Sequence, residues 1–159
     1  MMIWKKMLST KLPKGCLVNM AEFYVSLSNN EMSKQIADLV NTHNRLYKKH
    51  TTYSVLNSMA KYFVEVVNDR VIGCTALIKE GEKLSRNFHT CVSPEFRRKG
   101  IARKLKLLAI QNCETSYIFS TIREDNIPSI NLNLSLGYVF VNKIWSRDHY
   151  ILTLGRGTK

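Results

Sequence analysis

No stretch of this 159-residue chain is apolar for long enough to cross a bilayer, and the opening Met1-Met2-Ile3-Trp4-Lys5-Lys6 lacks the long apolar segment of a secretory signal. The expectation is a cytoplasmic protein without a membrane partner. The four cysteines, Cys16, Cys74, Cys91 and Cys113, lack the paired spacing that marks zinc binding, so no metal site is read from them. They read as reduced core thiols. Acidic residues are scarce: 12 Asp and Glu stand against 24 Lys and Arg, for a net charge of +12. Such an excess admits a polyanionic partner such as nucleic acid, yet net charge alone argues for non-specific attraction and association rate rather than for one ligand.

What is present fits one domain over residues 1–159, with a basic arm over 1–20 and a core over 21–154. Ala21 to Leu27 reads as a first strand. Ser28-Asn29-Asn30 then offers capping side chains, and Met32, Ile36, Leu39, Val40, His43 and Tyr47 recur at helical steps, predicting an amphipathic helix that ends near Lys48. His43 lies on its apolar face and reads as a core histidine. A further turn or two of helix is expected over Tyr53 to Met59. Lys61 to Val67 and Val71 to Ile78 read as strands joined by the hairpin punctuation Asn68-Asp69-Arg70. Leu84 to Val92 and Ser116 to Ile122 are two more, parallel to each other because a helix intervenes. A helix over Asp125 to Tyr138 follows, with Pro128 in its first turn and Gly137 as its stop, and Tyr138 to Trp145 and His149 to Leu154 close the sheet as an antiparallel pair.

The stretch with the clearest chemical meaning joins Leu84–Val92 to the helix that begins at Ile101. Pro94 ends the strand, Gly100 supplies a position without Cβ, and Arg97, Arg98, Lys99, Arg103 and Lys104 bring positive charge to a helix start. Helix-start amides lack intrahelical acceptors and sit at the positive end of the dipole, so the turn suits phosphate. Arg97-x-x-Gly100-x-Ala102, preceded by Val92-Ser93-Pro94-Glu95-Phe96, resembles the acetyl-CoA-binding motif of the GCN5-related N-acetyltransferase (GNAT) superfamily. Val71-Ile72-Gly73 resembles the third strand of that family. Asn126, Leu132, Leu136 and Gly137 match its second motif, with Ser129 in place of Ala and Tyr138 in place of Phe.

The resemblance, over roughly Ala21 to Leu154, implies an α/β (mixed α+β) fold: a central, mostly antiparallel sheet with one parallel pair, its fourth and fifth strands, flanked by helices. It implies acetyl-CoA as co-substrate, with Arg97, Arg98, Lys99, Gly100, Ile101, Ala102 and Asn126 toward the cofactor, and a backbone N–H of Cys91 or Val92 toward the thioester oxygen. It implies acetyl transfer to an amine by direct attack.

The departure from the family pattern is Asn133, where tyrosine usually protonates the departing sulfur. A thiol of pKa about 8.5 leaves as thiolate at pH 7 at a cost of only about 2 kcal/mol, so the change is survivable. Water or the Ser135 hydroxyl, a slow enzyme, or a different chemistry remain the readings. For the general base, His89, Glu124, Asp125, Asp148 and His149 are the candidates. The competing functions are a GNAT-fold enzyme acting on nucleic acid, by aminoacyl-tRNA acetylation or DNA-base modification, a non-catalytic acyl-CoA-binding module, and an enzyme whose cofactor is a longer acyl-CoA or another nucleotide; the acceptor is unknown and a homodimer stays open.

Overall fold

The computed structural model describes residues 28–158. The expected arm, the strand over Ala21 to Leu27, Cys16 and the cations Lys5, Lys6, Lys11, Lys14 and Lys159 lie outside them. Strand numbers here begin at the first described strand.

Helix α1 (Asn29–His43) starts where Ser28 accepts a hydrogen bond from the Glu31 amide at 3.2 Å. It stops at His43 rather than near Lys48. The side chain of Asn41 captures the chain on its return, donating to the His50 carbonyl at 2.7 Å and accepting from the His50 amide at 2.8 Å, so residues 44–50 fold back. Helix α2 (Thr52–Leu56) is a single turn held by a reciprocal Thr51–Ser54 capping box.

Strands β1 (Lys61–Val67) and β2 (Arg70–Lys79) meet at Asn68 and Asp69, whose φ angles of 49° and 56° are the left-handed pair that a two-residue hairpin needs. β3 (Leu84–Val92) pairs antiparallel with β2, and helix α3 (Ile101–Gln111) then carries the chain to β4 (Tyr117–Arg123), parallel to β3. Helix α4 (Ile127–Ser135) is shorter than the expected 125–138. Asn126 caps its start by accepting from the Ser129 amide. At its end the Gly137 amide bonds Leu134 and the Tyr138 amide bonds Asn133, a Schellman closure with Gly137 at a φ of 80°. β5 (Val139–Ser146) and β6 (His149–Gly157) form the last hairpin, β6 running three residues past Leu154 because its far end ladders with β4 through Gly157.

The sheet order is β1-β2-β3-β4-β6-β5, with only the β3/β4 contact parallel. The expected mostly antiparallel mixed sheet is therefore present. Both faces are covered. Ile36, Leu39, Val40 and Val55 of α1 and α2 pack on Tyr62, Cys74, Ala76 and Cys91, while Leu105, Ala109 and Ile110 of α3 pack on Phe63, Leu77, Ile118 and Leu154. Adjacent residues such as Tyr62 and Phe63 thus serve opposite cores, which is why β1 and β2 read as continuous apolar runs. Cys74 and Cys91 are buried free thiols and Cys113 is partly buried.

One close approach fixes how β6 meets β4. A Cβ on Gly155 would stand 2.3 Å from the Tyr117 hydroxyl and 2.7 Å from its ring, whereas one on Gly81 would meet nothing within 4 Å. Gly155→Ala is expected to destabilise the protein by about 1–3 kcal/mol in denaturant unfolding, and Gly81→Ala to stay within about 0.5 kcal/mol of the parent.

Candidate active site

β3 and β4 pair at three positions only: Leu84 with Tyr117, Ser85 with Ile118 and Arg86 with Phe119. The next two residues, Asn87 and Ser120, line a cavity of about 380 Å³ instead of continuing the ladder. A bulge in β3 accompanies the parting. Pairing of Cys74 with Cys91 and of Ala76 with Phe88 leaves Thr75 opposite both His89 and Thr90, and His89 takes a φ of 54°. Such a bulge bends its strand and ends regular pairing. His43, Asn44 and Arg45 wall the cavity from the end of α1, and Asn126, Pro128, Ser129 and Asn133 wall it from the α4 side.

Past the bulge, the Ser93 amide donates to the Ile72 carbonyl at 2.8 Å, so the neighbouring Val92 amide and carbonyl face away from β2. The Val92 carbonyl accepts from Arg97 Nε at 3.0 Å, leaving its amide toward the gap. Of the two residues expected to offer that donor, Val92 is the one whose amide lies outside the hydrogen bonding with β2. Cys91 is in the ladder with β2, its thiol donates to the Leu39 carbonyl at 3.7 Å, and burial pushes its pKa up to about 11.

The basic turn follows a single 3-10 turn over Pro94–Phe96. Arg98 and Gly100 have φ angles of 63° and 78°, and no described side chain caps α3. The first amides of the helix, from Ile101 and Ala102 onward, thus point at open space, and a Cβ on Gly100 would meet nothing within 4 Å. Arg97, Arg98 and Lys99 are exposed around it. The arrangement fits a pyrophosphate. Two expected cations are engaged elsewhere: Arg103 Nη1 donates to Ser135 Oγ at 2.9 Å, and Lys104 pairs with Glu65 on β1 at 2.7 Å.

The catalytic candidates separate by what holds them. His89 Nδ1 lies 3.0 Å from the Tyr62 hydroxyl with His50 packed edge-on at 4.4 Å, and burial, with the His50 and Arg86 charges, lowers its pKa to about 4. It borders the cavity as a neutral, weak base. Asp125 reaches the cavity but is held by Arg123 and by Arg45 at 2.6 Å, which lowers its pKa. Glu124 is occupied by Lys143 at 2.9 Å. Asp148 is exposed and bound to His149 at 2.7 Å, outside the cavity lining. Ser135 is also outside it, tied between Arg103 and the Leu132 carbonyl. Asn133 is inside, fully buried, with Nδ2 donating to the Ser129 carbonyl at 2.7 Å and Oδ1 without a partner. His43, read as a core residue, stands half-buried at the rim because α1 ends there.

Two cavity residues carried no signal of their own. Asn87 is buried on the α3 face of β3, and Lys106 is buried on the sheet-facing row of α3 beside Leu105. A lysine one residue from an apolar position more often lies along the helix flank with its charge in water, and its letter does not tell the two cases apart.

Among the described residues, no cluster of three or more metal-ligating side chains comes together. The model of the acetyltransferase (GNAT) family matches residues 29–138. The chain belongs to that family. No curated protein matches it. Solved structures share the fold at low identity. The ribosomal-protein-S18-alanine N-acetyltransferase of Escherichia coli superposes with a TM-score of 0.67 at 12% identity, covering 79% of this chain and 87% of that one. yncA of Salmonella typhimurium, solved with its cofactor acetyl-CoA, gives 0.65 at 16%, covering 80% and 87%. An aminoglycoside 6'-N-acetyltransferase complexed with coenzyme A gives 0.68 at 15%, covering 80% and 91%. These identities support the GNAT fold and no particular acceptor.

The partly buried His89 gives a pH signature. An unfolded histidine takes up its proton near 6.5 and this one near 4, so its contribution to stability is complete above about 6.5 and lost as pH falls toward 4. The expected loss is about 3 kcal/mol at the low end. In an NMR titration the His89 ring should keep its neutral shifts throughout that fall, and His89→Asn, which tolerates the same backbone angle, should flatten this part of the stability profile.

Proposed function

We propose that this GNAT protein transfers an acyl group, in the simplest case acetyl, from coenzyme A to an amine. The observation that carries the reading is that one strand serves both ends of such a ligand. β3 borders the gap along Asn87–Thr90 and, a few residues on, delivers the chain to the uncapped start of α3. A molecule with a polyanionic end, a polar arm and a reactive thioester suits that layout.

In this reading the pyrophosphate rests on the amides at Gly100–Ala102 with Arg97, Arg98 and Lys99 around it. Asn126 shapes the adjacent wall by capping α4. The acceptor amine attacks the thioester carbonyl, a C–N bond forms, the oxygen takes up charge toward the Val92 amide, and the C–S bond breaks to release coenzyme A.

The acceptor must arrive neutral. Of the bases expected from the sequence, Asp125 at the cavity is held in ion pairs and His89 is too weakly basic to help at pH 7. An acceptor of low pKa is therefore favoured: roughly one α-amino group in ten is neutral at pH 7, against roughly one lysine in a few thousand. The excess of positive charge supports nucleic acid as a second acceptor class, and steeply salt-dependent binding of tRNA would be its signature.

Acetyl-CoA at a hundred times its dissociation constant should stabilise the protein by about 2.7 kcal/mol, read as a thermal shift of several degrees. Gly100→Leu and Arg97→Glu should abolish the shift. A shift that survives in both variants would place the phosphates elsewhere. Coenzyme A release in the presence of peptides should be faster with a free α-amine than with a lysine as the sole amine, and the reverse order would remove the low-pKa acceptor.

A further inference from the structure

Lys106 is the buried lysine of the described residues, with 2% of its surface exposed. It lines the cavity at the point where β3 and β4 part. Its Nζ donates to Asn87 Oδ1 on β3 and to Ser120 Oγ on β4 at 3.3 Å, bridging the first positions beyond the last paired residues, Arg86 and Phe119. In its neutral form the amine has two N–H bonds, which these two acceptors can take, and a lone pair for a third direction.

No negative charge among the described residues holds the amine as a cation, and the face of the Tyr138 ring favours the charged form. The groups that face it are Asn87, Ser120 and the Tyr138 ring, whose centroid lies 5.4 Å from Nζ. Tyr138 is kept neutral by burial, no described carboxylate pairs with Lys106, and Asn133 on the α4 wall is uncharged. Desolvation lowers the pKa of Lys106 to about 7. At neutral pH that gives it roughly a thousandfold larger neutral fraction than an exposed lysine. A second sign of a polar ligand in the same cavity is Asn133 Oδ1, fully buried with no partner.

We propose that Lys106 is an acylation site served by the thioester bound in the gap. This rests on the acyl-transfer reading above. The Nζ lone pair attacks the thioester carbonyl, an amide C–N bond forms, the C–S bond breaks, and the proton displaced from nitrogen ends on sulfur, so that coenzyme A leaves as the thiol. The acyl thioester is the only co-reactant. Confinement of both groups in one cavity supplies the proximity that free lysines lack. The product is a stable amide that removes the buried amine's capacity for charge and fills the apex of the gap, so the modified chain accepts the next thioester less readily. The modification acts as a brake set by the protein's own donor.

The test incubates the full-length protein with acetyl-CoA over a range of pH and follows intact mass and peptide maps, with calorimetry of acetyl-CoA binding in parallel. The expected result is one acetyl group, located on Lys106, formed at a rate that levels off above a pH of about 7. Label on exposed lysines should still be climbing there. Lys106→Met should lose the label. If that variant fails to fold, the peptide map of the unaltered protein decides alone. Binding of acetyl-CoA with Lys106 unmodified overturns this proposal and leaves the acyl-transfer reading standing. Absence of binding overturns both. Label confined to exposed lysines, or a label that persists unchanged in Lys106→Met, also overturns it.

Discussion

A parallel pair of strands that stays hydrogen-bonded for three residues and then separates is the constraint from which the site follows. Beyond Arg86 and Phe119 the two strands are linked by side chains instead of backbone, Asn87 and Ser120 with Lys106 between them. The sheet tolerates the opening because it is braced elsewhere. β2 is buried on both faces, and the β4–β6 ladder runs unbroken from Tyr117 to Arg123. The gap is therefore a local fault in an otherwise continuous sheet, with the helices of one layer on each side of it.

The two helical layers meet the gap differently. On the α3 side, helix starts and polar side chains approach it: the α3 amides, the Asn126 cap and the buried carboxamide of Asn133. On the α1 side, rings and ends of elements approach it, with His43 at the end of α1 and His89 stacked between Tyr62 and Phe88. Arg45 and Arg123 share Asp125 across the mouth, which ties the loop after α1 to the start of α4. Exposed pairs of this kind contribute little stability and respond to salt, so they shape the rim more than they hold the fold.

Most of the fold was legible because its signals are local. Turn residues at Asn68-Asp69, the strand-ending Pro94, and the Pro128–Gly137 bracket around α4 each act within a few residues of where they stand. The end of α1 was not, since Leu46 and Tyr47 continue the helical spacing and the residue that overrides it, Asn41, works by grasping backbone nine positions on. In the site, the uncapped helix start after Gly100 could be read because a helix start and a glycine act through backbone. The fates of individual cations could not. Lys104, Lys106 and Arg103 are near neighbours on one helix, yet one pairs with Glu65, one is buried and one holds Ser135, according to which side of the cylinder each occupies. Ser135 and Asp148 carry suitable chemistry in sequence but face away from the cavity, a matter of tertiary placement alone.

The bulge at His89 and Thr90 makes the proposed thioester contact a question of parity. Along a strand, successive amides point to alternate neighbours, and one supernumerary residue exchanges the two sets for the remainder of the strand. The residues beyond it, through Val92, therefore address the gap and β2 in the opposite order from an uninterrupted β3. An uninterrupted β3 with the same number of residues would keep the same composition and the same sequence on paper. It would nevertheless set residue 92 opposite Ile72, whose carbonyl now takes the Ser93 amide, turn the Val92 amide into the ladder and lose the donor by counting, with no side chain that touches it having changed.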